Sequence, residues 1–179
     1  MPRWRAGRRV RPRRPSEPDA GNPAVESELG VVLFKTGQAT EGIEHLSKAV
    51  MLAPDSADAQ NKLGTALAGT GQDRDAETHF QRSVALQPDS LEYRFNLAFL
   101  LIRQENFAQA TPQLEKAVEL SGGKDARCLA MLSAAYDHTG HPAEARQAVQ
   151  RALELAEKDN NTELVKNLRL ALERYQQPK

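Results

Sequence analysis

A solenoid of stacked, antiparallel helix pairs, all-α throughout, is the architecture expected of this 179-residue chain. Residues echo one another 34 positions apart: Pro54 at Pro88, Gly37 at Gly71, Ala76 at Ala110, and Asp55-Ser56 at Asp89-Ser90. A fixed period of that size marks a repeat architecture. Within each period apolar residues fall at helical spacing, as in Leu29 and Leu33, Leu63 and Leu67, Leu97 and Leu101, and Leu132 and Tyr136. Thr36-Gly37, Thr70-Gly71 and Thr139-Gly140 interrupt the pattern, and glycine there suits the left-handed conformation that ends a helix. One hairpin of this length cannot bury its own apolar faces, so the units must stack and leave an extended inner surface.

Residues 1–22 consist of arginine, proline and small polar residues with hardly any apolar content. Such a segment cannot offset its ordering entropy and is read as a disordered Arg/Pro-rich tail. An ordered domain then runs over 23–175. Its repeats occupy 23–56, 57–90, 91–124 and 126–159, the last following a one-residue slip in Ser121-Gly122-Gly123-Lys124-Asp125. In the first repeat, Ile43, Leu46, Ala49 and Val50 form the apolar face of the second helix. Pro54-Asp55-Ser56 and Pro88-Asp89-Ser90 stop the second helices and offer side-chain acceptors to cap the next ones. Asp159-Asn160-Asn161-Thr162 opens a final helix over 162–175, with Leu164, Leu168, Ala171, Leu172 and Tyr175 on one side. An amphipathic helix there would shield the end of the stack.

The formal net charge of zero hides an asymmetry. Residues 1–14 hold seven arginines and no acid, which leaves 17 basic residues against 24 acidic in the remainder. Cys128 is the only cysteine, so no internal disulfide and no cysteine-based zinc cluster can form. No stretch approaches the ~18 consecutive apolar residues of a membrane-spanning helix. The basic amino terminus lacks the apolar region of a signal peptide, and a cytoplasmic location is expected.

These residues resemble the tetratricopeptide repeat family, as four repeats plus a carboxy-terminal capping helix. The second repeat carries Leu63, Gly64, Leu67, Gly71, Ala76, Phe80, Ser83 and Pro88 in the family's register. The first carries Leu29, Gly30, Leu33, Gly37, Leu46, Ala49 and Pro54, with Gly42 where alanine is usual. The third has Glu105 at the turn and Gly122 for the closing proline, and Pro112 near the start of its second helix, where a missing N–H costs least. The fourth keeps Leu132, Tyr136, Gly140, Ala145 and Ala152. Glu26, Gln60 and Arg94 replace the family's common early tryptophan. The resemblance implies a right-handed superhelix whose first helices line a concave surface.

Catalytic signatures are missing. The sequence has no glycine-rich phosphate loop, no Gly-x-Ser-x-Gly, no His-Glu-x-x-His and no Cys-x-x-Cys. No enzyme activity, cofactor or small-molecule substrate is expected. Asp137, His138 and His141 cluster at a turn and could bind a metal, but exposed corner residues are the plainer reading. His45 and His79 share a repeat position, which geometry alone explains, and Cys128 reads as a small buried hydrophobe.

What remains is the inner surface implied by the resemblance, to which we assign Val31, Phe34, Asn61, Thr65, Phe95, Phe99, Ile102 and Arg127. Phe95, Phe99 and Ile102 lie at i, i+4 and i+7, one stripe on a helix. Facing a groove, that stripe would take an apolar side chain or an amphipathic helix; the competing reading makes it core, packed toward Phe34 and Val31. The lysine, asparagine and arginine positions of the carboxylate clamp used by co-chaperone repeats hold Ser27, Val31, Lys62, Glu92 and Asn96, or Asn61, Thr65, Asn96, Arg127 and Met131, so neither register builds it. The expected function is a non-enzymatic scaffold binding a peptide or protein segment. An alternative is the repeat portion of a larger or mis-started protein whose catalytic part lies elsewhere. A third reading has the arginine tail bind nucleic acid, with the repeats as an oligomer platform.

Overall fold

The computed structural model describes residues 21–174. Residues 1–20 and 175–179, which include most of the basic tail and Tyr175, lie outside the described residues. The described chain forms nine helices in order: α1 (Pro23–Lys35), α2 (Ala39–Leu52), α3 (Ala57–Gly69), α4 (Asp73–Leu86), α5 (Leu91–Arg103), α6 (Phe107–Leu120), α7 (Ala126–His138), α8 (Pro142–Lys158) and α9 (Thr162–Arg174). Among the described residues no helix is long and apolar enough to cross a membrane.

Odd and even helices begin differently, and the sequence explains why. The odd helices open on a side-chain acceptor. Asn22 accepts from the Ala24 amide at 2.9 Å, Ser56 from Ala59 at 3.2 Å, Ser90 from Tyr93 at 3.4 Å, and Asp125 from Arg127 at 2.8 Å. Each satisfies an amide that the first helical turn leaves free. Even helices α2, α4, α6 and α8 have no side-chain cap, because each follows a two-residue turn that closes the preceding helix. There the amide beyond the turn residue returns to a carbonyl five residues back, as Gln38 to Leu33 at 2.9 Å and Gln72 to Leu67 at 2.9 Å. The turn residue itself is left-handed: Gly37 at φ 90°, Gly71 at 79° and Gly140 at 82°. In the third hairpin Glu105 takes the same conformation at φ 58° without being glycine. The one-residue slip before α7 is absorbed by two successive left-handed glycines, Gly122 and Gly123.

Each odd helix pairs with the even helix after it, and each even helix packs on the next odd one, through α8 on α9. Odd helices also touch one another, α1 on α3, α3 on α5 and α5 on α7, while the even helices make no comparable contacts. The α solenoid therefore curves toward its odd helices, which line the inner face. Small residues let the paired helices approach. Ala49, Ala76, Ala98, Ala110, Ala117, Ala145 and Ala152 have no exposed surface at all. One core cluster runs from Leu46 to Ala135, and a second gathers Ala126, Leu129, Val149, Ala152, Ala156 and Leu168 beneath α9.

Pro112 needs a correction. It is not among the first-turn residues whose amides are free but sits a full turn inside α6. The amide it lacks would have bonded the Ala108 carbonyl. Ala108 is exposed, so that carbonyl can face water instead.

Candidate functional site

Two open depressions lie side by side on the inner face. One, of about 290 Å³, is lined by Val31, Phe34 and Lys35 from α1, Asn61, Lys62 and Thr65 from α3, and Glu92 from α5. The other, of about 360 Å³, is lined by Thr65, Ala68 and Gly69 from α3 and by Phe95, Asn96, Phe99 and Arg103 from α5. Thr65 forms the wall they share. The register explains the arrangement: Val31, Thr65 and Phe99 occupy one repeat position on successive odd helices, so they line up across the stack.

The aromatic stripe on α5 divides its roles. Phe99 is 54% exposed. Ile102 is partly buried against the main core cluster, as are Val31 and Phe34. Phe95 is half-buried, and the Arg127 guanidinium lies 5.2 Å from its ring centroid, so the fourth hairpin covers part of the third through a cation–π contact. Asn61 is only 4% exposed. Its amide nitrogen donates to Glu92 at 3.3 Å while its oxygen accepts from Asn96 at 2.9 Å. Asn61 thus stiffens the floor between α3 and α5 instead of presenting a free amide. Thr65 donates its hydroxyl to the Asn61 carbonyl at 2.9 Å, so that hydroxyl is already engaged within its own helix.

Three cations near the rim, Lys62, Arg103 and Arg127, are already paired. Lys62 meets Glu28 at 2.6 Å and Asp58 at 3.0 Å. Burial works against the Lys62 charge, but these two acids more than offset it and raise its pKa. Arg103 pairs with Asp73 and also donates to the Ala68 carbonyl at 3.1 Å. Arg127 pairs with Asp125 at 2.9 Å, and that bond raises the guanidinium pKa. A ligand carboxylate would have to compete with these internal acids, whereas an apolar side chain would not.

Gly69 escaped the sequence reading, and Asn96 entered it only as a clamp position. The signal for Gly69 was a comparison along the repeat: Lys35, Arg103 and His138 hold its position in the other hairpins. A Cβ at Gly69 would stand 2.8 Å from Phe34 Cζ, so the missing side chain makes room for that ring.

The turn residues considered for metal binding face apart. His138 stacks flat on Phe107, with ring centroids 3.9 Å apart. Asp137 meets Arg174 at 3.3 Å, and His141 lies against the Thr139 hydroxyl at 3.2 Å. Among the described residues no group of three or more His, Cys, Asp and Glu is placed to hold a metal ion. Cys128 is fully buried, and burial pushes its thiol up to about 11. At neutral pH it is an inert thiol, not a nucleophile.

Comparison with known proteins agrees with this fold. Two tetratricopeptide repeat models match residues 33–98 and 90–158, together more than two-thirds of the chain. No curated protein matches it by sequence. Among solved structures it is similar to a crystal structure of MamA at 26% identity and TM-score 0.73, covering 80% of this chain and 83% of that one. A second crystal structure of MamA gives 26% identity and TM-score 0.70, covering 80% and 78%. Residues 41 to the end of MamA from Desulfovibrio magneticus RS-1 share the fold at 20% identity and TM-score 0.69, covering 87% and 97%.

Proposed function

The chain belongs to the tetratricopeptide repeat family and is built as a protein-interaction scaffold, and from that premise we propose that its inner face holds an apolar peptide or helix of a partner, without catalysis of its own. The observation that carries the proposal is Phe99, 54% exposed beside two apolar depressions that meet at Thr65. A large aromatic left uncovered on an inner face is a site waiting for an apolar side chain. Burying such a side chain is worth roughly 1.5–3 kcal/mol, so two or three anchors support a contact of about micromolar strength after association costs. Lys62, Arg103 and Arg127 already have acidic partners, so the ligand need not bring an acid for them.

The test is to select peptides by display against the intact protein and measure their affinity for the Phe99→Glu variant. Affinity should fall by about tenfold or more, as a charge in an apolar contact would require. Helicity by circular dichroism should not change, because Phe99 supports little of the core. Ligands that bind the variant as tightly as the wild type would place the interaction elsewhere.

A further inference from the structure

Two interior helices of the stack, α4 and α6, are held alike by packing but supported unequally by their own residues. They bury the same three repeat positions, Ala76, Phe80 and Ser83 in α4 and Ala110, Leu114 and Ala117 in α6. Neither has a side-chain cap. The turn before α4 places Gly71 at φ 79°, which glycine adopts without steric cost, whereas the turn before α6 holds Glu105 at φ 58°. Asp73 and Asp75 in the first turn of α4 complement the positive end of the helix dipole, and the first turn of α6 has no acid. Among the described helices, α6 alone carries a proline beyond its first turn. Pro112 removes one of its backbone hydrogen bonds. Beyond its last turn come Gly122 and Gly123, both left-handed and free of any side chain that could hold the helix end.

We propose that α6 is a weak point built into the middle of the solenoid, which opens locally and uncovers the stacking face of α7 while the hairpins on either side stay folded. That face is Cys128, Leu132 and Ala135, none above 5% exposed. It turns toward the third hairpin, because the same repeat positions on α1, Val25, Leu29 and Val32, are 49%, 41% and 55% exposed where no described hairpin precedes them. The side-chain ties of α6 to α7 lie at the outer edge of the joint, Tyr136 donating to Glu115 at 2.7 Å and His138 stacked on Phe107. Packing on both sides survives its departure. Leu46, Leu67 and Phe80 stay in contact within the first two hairpins, and Leu129, Val149 and Leu168 stay together beneath α9. Opening at α6 also frees α5, which carries Phe99, from its own partner helix. The inner face can therefore change shape at its third hairpin without the stack coming apart.

Native-state amide exchange of the full chain, read together with Cys128, tests this. Cys128 is the only cysteine and has no exposed surface, so N-ethylmaleimide reaches it only through an opening. Amides of Leu114 and Ala117 should exchange faster than those of Phe80 and Ser83 by about tenfold or more. Maleimide should label Cys128 faster than the global unfolding equilibrium, measured in urea, allows. Glu105→Gly should slow both readouts by about fivefold, and Pro112→Ala by about tenfold or more, with exchange in α4 unchanged. Glu105 and Pro112 are both exposed, so neither substitution removes core packing. Equal exchange in α4 and α6, a slowing shared by both helices, or labelling untouched by the two variants would each overturn the proposal.

Discussion

Glu26 occupies the position where related repeats commonly carry a tryptophan, yet it is 4% exposed. A buried carboxylate must be matched by donors, and the opposing helix supplies them: His45 Nδ1 at 2.6 Å and Lys48 Nζ at 2.5 Å. The next hairpin repeats the pair in other chemistry, with His79 Nδ1 donating to Gln60 Oε1 at 2.7 Å. Burial lowers the His79 pKa, in keeping with a neutral ring there. In the third hairpin Arg94 donates to Gln113 at 2.7 Å, and in the fourth the pair becomes apolar as Leu129 and Ala148, both buried. A ladder of matched pairs thus does the work of the absent indoles. Its first rung has a pH signature. Hydrogen bonds from Lys48 and then His45 hold the Glu26 carboxyl below its ordinary 4.5. Above that value both folded and unfolded chains are ionised, and the stabilisation is complete. As pH falls below it, the unfolded chain takes up its proton first, so stability drops until the folded carboxyl protonates too. Glu26→Gln should therefore lower the urea midpoint at pH 7, and the gap to wild type should narrow between about pH 5 and pH 3. A gap that stays constant across that range would show that Glu26 is not held ionised by its partners.

At the scale of elements, α1 and α2 approach through a pair of glycines. A Cβ on Gly42 would stand 2.7 Å from the Gly30 carbonyl oxygen and 2.8 Å from the Phe34 amide nitrogen, both rigid backbone atoms. The other hairpins hold Ala76, Ala110 and Ala145 at this position, each without exposed surface. Installing the family's alanine should nonetheless harm this hairpin. Gly42→Ala gains about 1 kcal/mol of helix propensity, but forcing the helices apart costs about 1–3 kcal/mol, and the contacts are too short to relax cheaply. A lower urea midpoint is expected, and a higher one would mean that the two helices can separate freely. The sequence marked Gly42 as a departure from the repeat pattern without showing its cause, which is the close approach of the Gly30 and Phe34 backbone in this hairpin. The turns were plainer. Gly37, Gly71 and Gly140 announce left-handed helix ends because few other residues take that conformation readily, whereas Glu105 adopts it under the constraint of its neighbours. The ladder from Glu26 onward was not legible, because pairing residues across a hairpin requires the stagger of its helices. The inner-face position of Phe99 followed from the repeat register. Phe34 fills space left by Gly69 on the next hairpin, and the period alone does not reveal that fit.

For the molecule as a whole, each helix packs mainly on its neighbours in the stack, so stability is distributed locally, not pooled in one centre. The two hydrophobic clusters express that division. The larger runs through the first three hairpins and into α7, and the smaller joins α7, α8 and α9 around Leu129, Val149 and Leu168. Leu168 is 4% exposed and is the fully buried anchor of α9, with Leu164, Val165 and Leu172 packed around it. Ending the chain after Asp159 would uncover the smaller cluster while leaving the larger one closed. Losing one buried leucine and three partly buried neighbours removes roughly 3–6 kcal/mol of burial, comparable with the stability of a single terminal hairpin. Amide exchange in α7 and α8 should then accelerate sharply, by about a hundredfold or more, while amides of α3 to α5 keep most of their protection. Equal acceleration along every helix would show instead that the solenoid opens as one cooperative unit. In that case α9 would act as a keystone for the whole stack, not as a seal for its last joint.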